Sequence, residues 1–204
     1  NKGKHAGLFA VRRLLRRIGT FGFHLVTLDV RQDAMVHREV IGECLDIDDW
    51  LKRTPEDRAA RIVEAIESRY SPPAQQSTGV RKTLAAFEAI ASCRRKYGEA
   101  AIGPFIVSMT QGADDILSIL LLAQWSELHN RRDEVPLDIA PLLETVDDLK
   151  NGPAILETLL SNKLYRHHLW LRGDKQTVMI GYSDSNKDSG LVAARWALQN
   201  AQIE

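Results

Sequence analysis

Four side chains have the types and placement to do chemistry: Arg31, Glu144, Asp184 and Lys187, two cations and two carboxylates set at or just beyond short apolar runs. The densest group is GYSDSNKDSG, Gly181 to Gly190, which holds two glycines, two aspartates, three serines, an asparagine and a lysine. It follows the run Thr177, Val178, Met179, Ile180 and precedes the helical-looking LVAARWALQNAQ, so it reads as a strand, a polar turn and a helix start. Such a turn offers carboxylate, ammonium, hydroxyl and backbone N–H groups to one small anionic ligand, because glycine permits close approach and a helix N-terminus favours negative charge. The GxxxxGK[ST] phosphate loop is absent, since Lys187 precedes the second glycine, and a nucleotide site is disfavoured.

Glu144 and Asp184 are forty residues apart, about one strand and helix unit, which sets them on neighbouring strands at one rim. Two carboxylates there suit a hard cation such as Mg²⁺ or Mn²⁺, held by one or two carboxylates with positions left for water and an oxygen-rich substrate. The competing readings are a helix cap for Asp184 and a salt bridge for Glu144. Arg31 presents a planar fork for phosphate or carboxylate, or else a structural ion pair, and Lys187 is either an anion-neutralising point charge or a solvated loop lysine. His167 and His168, adjacent before an apolar run, read as one packed and one exposed imidazole. Cys44 and Cys93 lack metal-type spacing and read as two reduced, semi-buried thiols.

The elements that must position these groups alternate. A basic helix around VRRLLRRIG, with one solvated face, leads to a strand over Leu25–Val30 that ends at Arg31. Helices follow at DAMVHREVIGECLDI, at TPEDRAARIVEAIESRY, which opens with a threonine cap and a proline, and at VRKTLAAFEAIASCRRKYG, closed by Gly98. The tract between the last two, residues 71–79, reads as a loop. A second strand, Pro104–Thr110, precedes the long apolar helix QGADDILSILLLAQWSELHN. A third, VPLDIAPLLET, ends near Glu144; a short helix PAILETLLSN comes next, and LYRHHLWLRGDK turns into a fourth strand, TVMIGYSD. Continuous apolar strands alternating with helices imply a parallel α/β sheet buried on both faces, with its chemistry at the C-terminal strand ends. Those ends carry Arg31 and Gln32, Ser108 and Thr110, Glu144, and Asp184.

With 204 residues and 44% apolar content the chain can bury a sizeable core, and its formal net charge is zero. Charge is nevertheless uneven: the first 28 residues hold Lys2, Lys4, Arg12, Arg13, Arg16 and Arg17 and no acid. No aromatics interleave with them as a nucleic-acid stacking surface requires, so no nucleic-acid partner is expected. No run approaches the roughly 18 apolar residues of a membrane helix, and NKGKHAGLF lacks a signal-peptide core; no membrane association and a cytoplasmic location are expected.

Taken together, LLRRIGTFGFHLVTLDVRQD with His37 following, FIVSMTQGADDILSILLLAQ, APLLETVDDL and VMIGYSDSNKDSGLVAARWALQNAQ resemble the phosphoenolpyruvate carboxylase family, in order and over nearly the whole chain. The resemblance implies part of a parallel β/α (TIM-type) barrel with additional long helices, about half the barrel strands being present. It implies one partial domain over 1–204, with a helical insertion at about 34–98. The implied reaction joins phosphoenolpyruvate and bicarbonate into oxaloacetate and phosphate with Mg²⁺ or Mn²⁺ as cofactor, in a full-length enzyme working as a homo-oligomer. Glu144 and Asp184 look like the metal ligands, Arg31 like an arginine holding the transferring phosphoryl group, and Lys187 like the lysine that helps place bicarbonate. The family's catalytic histidine motif and its glycine- and arginine-rich loop are not in this chain, so a fragment inactive alone is expected. Asp33, Thr110, Asn186 and Ser189 depart from the residues common in the family. The rival expectation is a non-catalytic relative, an anion- or protein-binding scaffold using the basic helix.

Overall fold

Short strands rich in aliphatic residues and helices with polar caps alternate along the chain, and the parallel pairing of the strands decides where each loop lies. The computed structural model describes residues 7–22, 24–129 and 134–203. The strands are β1 Leu28–Asp33, β2 Ile102–Ser108, β3 Ile139–Leu143 and β4 Met179–Ile180. All neighbours are parallel and lie in the order β1-β2-β3-β4. The winding never reverses, unlike that of a doubly wound sheet. Arg31 is level with Ile106 of β2, and Leu143 of β3 with Ile180 of β4, so the ends of all four strands share one rim.

The helices are α1 Leu8–Phe21, α2 Ala34–Leu45, α3 Pro55–Glu67, α4 Thr78–Tyr97, α5 Ala113–Trp125, α6 Val146–Ser161, α7 Lys163–Leu171, α8 Tyr182–Ser189 and α9 Leu191–Ile203. Their starts follow capping chemistry. Asp33 accepts from the Met35 N–H at 2.7 Å, Thr54 from Asp57 N–H ahead of Pro55, and Ser77 from Val80 N–H. Helix α5 is apolar all round and is buried from Ala113 through Ala123, which makes it the centre of the main core. Trp50, Ile62, Phe87 and Phe105 pack in the same cluster, so helices α2 to α4 close over α5 and β2.

Two buried ion pairs lock this layer. Arg38 of α2 grips Asp115 of α5 through Nε–Oδ1 and Nη2–Oδ2, both 2.7 Å, and Arg58 Nε of α3 meets Asp114 Oδ2 at 2.6 Å. Asp114 Oδ1 has no partner, and burial beside Asp115 pushes its carboxyl up to about 6.

Several expectations need correction. The segment Gly181–Gly190 is not a loop: Tyr182–Ser189 is helical, and β4 is only two residues long. Polar side chains there make helical contacts, Ser185 Oγ donating to Gly181 O at 2.6 Å. Helix α6 starts seven residues before Pro153, because Thr145 and Asp148 form a reciprocal capping box that starts the helix upstream. The histidine segment is helix α7; as expected, His168 is buried and His167 exposed. Helix α1 forms but buries none of its residues, leaving Phe9, Leu14 and Leu15 exposed, since no described element lies across its apolar stripe. Strand β1 runs on past Arg31 to Asp33. Lys2 and Lys4 of the basic segment, and Asn130 at the end of the expected α5 helix, lie outside the described residues. Both cysteines are free, Cys44 buried and Cys93 half-buried. No helix of the described residues is long and apolar enough to cross a membrane.

His37 is fully buried against Phe105 with neither ring nitrogen partnered, and burial lowers its pKa to about 4; burial does the same to His168. Both are neutral when folded and ionise near 6.5 when unfolded, so the stabilisation is complete above pH 6.5 and is lost as pH falls toward 4. Each contributes up to about 3 kcal/mol to this dependence. Urea midpoints measured from pH 7 to pH 4 are expected to fall, and His37→Leu to flatten the slope; an unchanged slope in that variant contradicts the assignment.

Candidate functional site

Glu144 follows β3 directly, and its backbone is held by the start of α6. Asp148 Oδ2 accepts from the N–H groups of Thr145 (3.0 Å) and Glu144 (3.4 Å), while Asp148 N–H donates to Thr145 Oγ1 at 3.0 Å. This fixes where the Glu144 side chain leaves the strand. That side chain is only 9% exposed, yet it faces two charges and a backbone N–H from the other three strand ends.

From β1, Arg31 Nη2 donates to Glu144 Oε1 at 2.6 Å across 113 residues of sequence. From the end of β2, the backbone N–H of Met109 favours the ionised carboxylate. Met109 holds a left-handed backbone, φ 55°, at a cost of roughly 1 kcal/mol or more for a residue with a side chain. From beyond β4, the charge of Asp184 opposes ionisation. Burial, the largest influence, together with Asp184 and Asp148 outweighs Arg31 and Met109, so the Glu144 carboxyl sits above the ordinary glutamate range.

Asp184 arrives through a close approach of two segments, the end of β4 and the end of β3. Gly181 N–H donates to Leu143 O at 2.8 Å, and a Cβ at Gly181 would stand 3.1 Å from Glu144 Cα. Glycine therefore lets β4 end directly against Glu144. Helix α8 then begins, with Asp184 in its first turn, where the dipole favours a carboxylate. Lys187 lies one turn on, its Nζ 3.5 Å from Asp184 Oδ1 and its side chain 76% exposed. Asp188 Oδ2 accepts from Val146 N–H at 3.2 Å, joining α8 to the start of α6.

The structure thus brings together all four singled-out residues as two pairs, Arg31 with Glu144 and Lys187 with Asp184, the two carboxylates interacting through space. Arg31 is half exposed and bonds Glu144 through one nitrogen, whereas Arg38 is buried and fully engaged with Asp115 and with Gln111 Oε1 (3.2 Å). The rest of the Arg31 fork is open to an anion. Gln32, Ser108 and Thr110 contribute differently: Gln32 Oε1 accepts from Asp33 N–H, and Thr110 Oγ1 donates to Val107 O, so both stay with the local backbone, and Ser108 is buried. A cavity of about 250 Å³ walled by Ile66, Leu120, Gln124, Leu164 and His168 includes none of the four. Asp148, Asp188 and the Met109 N–H escaped sequence reasoning; only the first had a readable signal, the Thr-x-x-Asp of a capping box.

Among the described residues no cluster of three or more His, Cys, Asp or Glu is placed to hold a metal ion. The donor set at the rim is a carboxylate pair, and mutual repulsion within it is what a divalent cation relieves. Hard oxygen donors few in number fit Mg²⁺ or Mn²⁺, which retain several waters.

A family model described as phosphoenolpyruvate carboxylase matches residues 2–204. Among relatives, a phosphoenolpyruvate carboxylase of Xanthomonas oryzae pv. oryzae is 46% identical over 204 residues, which is 100% of this chain and 23% of the relative. One of Mycobacterium leprae is 40% identical over 201 residues, 93% of this chain and 22% of the relative. One of Rhodopseudomonas palustris is 38% identical over 209 aligned residues, 98% of this chain and 22% of the relative. The chain spans under a quarter of the length of these relatives. With a match across all but its first residue, the chain belongs to the phosphoenolpyruvate carboxylase family.

Proposed function

We propose that this chain supplies the metal-holding carboxylates and the phosphoryl-holding arginine of an enzyme that joins bicarbonate to phosphoenolpyruvate, giving oxaloacetate and phosphate. The observation that carries this reading is the convergence on Glu144: a 2.6 Å bond from Arg31 of β1 and the charge of Asp184 beyond β4 meet it at one rim. The four strands are read as one arc of an eight-stranded β/α barrel, within a single partial domain whose residues 34–98 form a helical insertion. Their sequential parallel order, and a site at their C-terminal ends, support that arc.

Glu144 and Asp184 would hold Mg²⁺ or Mn²⁺, which when bound draws electron density from substrate oxygens and offsets the charge of phosphoryl transfer. Arg31 turns the free part of its fork to the phosphoryl group and orients it for in-line attack. Lys187, on an exposed face of α8, attracts and places bicarbonate. Attack by a bicarbonate oxygen on phosphorus breaks the bond to the enol oxygen and leaves carboxyphosphate and the enolate of pyruvate. Carboxyphosphate then releases phosphate and carbon dioxide, and the enolate carbon captures the carbon dioxide.

In the protein as its gene encodes it, Glu144→Gln and Asp184→Asn are each expected to cut bicarbonate-dependent phosphate release by at least about a hundredfold and to weaken Mn²⁺ binding. Wild-type rate and metal dependence in both would refute the site. Because the Glu144 carboxyl is raised, Mn²⁺ affinity is expected to fall with decreasing pH sooner than an ordinary glutamate would cause. Arg31→Gln removes the cation that favours ionisation and moves this loss to still higher pH; titration of Mn²⁺ binding against pH reads both, and a shift to lower pH in the variant would contradict the assignment.

A further inference from the structure

We propose that Asp188 is a positioning residue that pins α8 to the start of α6 and thereby sets the spacing of Asp184 from Glu144. The proposal rests on the reading of those two carboxylates as a metal pair. Helix α8 has little apolar burial to hold it: of its eight residues Ser185 alone is buried. At its N-terminal end it is tied by backbone, Gly181 N–H to Leu143 O at 2.8 Å. Its other ties run to α9, where Arg195 Nη2 donates to Tyr182 Oη at 3.0 Å, and neither of these contacts joins α8 to α6.

The side-chain tie to α6 is the Asp188 carboxylate. Its Oδ2 accepts from Val146 N–H at 3.2 Å, and Val146 is the first residue of α6, two positions after Glu144. Asp188 lies four residues after Asp184, so both point from the same face of α8, one turn apart. The α6 N-terminus is thus satisfied from two directions: Asp148 takes the Glu144 and Thr145 N–H groups from inside the helix, and Asp188 takes the next one from outside. A carboxylate at this position is also favoured by the dipole of the 16-residue α6. The contact therefore binds the element carrying Asp184 to the segment carrying Glu144, close to both. Lys187, with its 3.5 Å contact inside α8, has no comparable reach across the junction.

The test compares Asp188→Ala with Asp188→Asn in the protein as its gene encodes it. The asparagine carbonyl still accepts from Val146 N–H, whereas alanine leaves that donor empty. Mn²⁺ affinity is read directly by electron paramagnetic resonance, alongside kcat and KM. Asp188→Ala is expected to weaken Mn²⁺ binding about 10- to 100-fold, the range seen when groups orienting metal ligands are lost, and Asp188→Asn to recover it to within about threefold of wild type. Unchanged affinity in Asp188→Ala, or equal weakening in both variants, would overturn the positioning claim. Glu144→Gln in the same assay separates the two levels: wild-type Mn²⁺ affinity there removes the metal-pair reading itself, while weakened affinity there with an unaffected Asp188→Ala removes only Asp188.

Discussion

Asp115 is fully buried, and its two oxygens are taken by Arg38 and by the N–H groups of Gln111 and Gly112. Arg38 belongs to the helix that leaves β1, and Gln111 and Gly112 to the loop that leaves β2. One carboxylate therefore fixes two strand exits against each other. Breaking a buried pair of this geometry by removing one partner typically costs about 3–5 kcal/mol, because the surviving charge stays desolvated. The rim depends on that constraint: Arg31 can reach Glu144 at 2.6 Å only while the β1 exit is held in register with its neighbours.

Two arginines seven residues apart, one on either side of the β1 exit, do opposite things, and burial separates them. Arg38, 8% exposed and bonded through both ends of its fork, is part of the scaffold. Arg31, 50% exposed and bonded through one nitrogen, is held loosely enough to serve an anion. The same distinction applies to the acids. Asp115 and Asp148 spend their oxygens on backbone and guanidinium donors, whereas Glu144 and Asp184 meet as like charges, with Arg31 and Lys187 each at only one of them. This like-charge pair left in place beside an open rim supports the proposed cation site.

The strand and helix order was legible because the apolar runs are short and continuous, and Thr54 ahead of Pro55 caps α3 as its residue type indicates, whereas Ser77, read as part of the 71–79 loop, caps α4. The placement of Arg31, Glu144, Asp184 and Lys187 along one rim was legible for a related reason, since each lies at or just past a strand end. The polar stretch 181–190 misled, because its serines, aspartates and asparagine favour turns in isolation. The bond of Ser185 back to Gly181 O within the helix and the tertiary contact of Asp188 onto α6 support a helix instead. Pro153 misled similarly: it resembles a helix start, yet the Thr145–Asp148 box had already started α6 seven residues earlier. Pairings such as Arg38–Asp115 span 77 residues and leave no local trace at all.

The central claim is that Glu144 and Asp184 share one divalent cation. Crystals of the protein as its gene encodes it, soaked in Mn²⁺ and measured at the manganese absorption edge, test it most directly. An anomalous peak within about 2.3 Å of a carboxylate oxygen from each residue is the predicted result. A manganese peak coordinated elsewhere, with these two carboxylates left on Arg31 and Lys187, would contradict it.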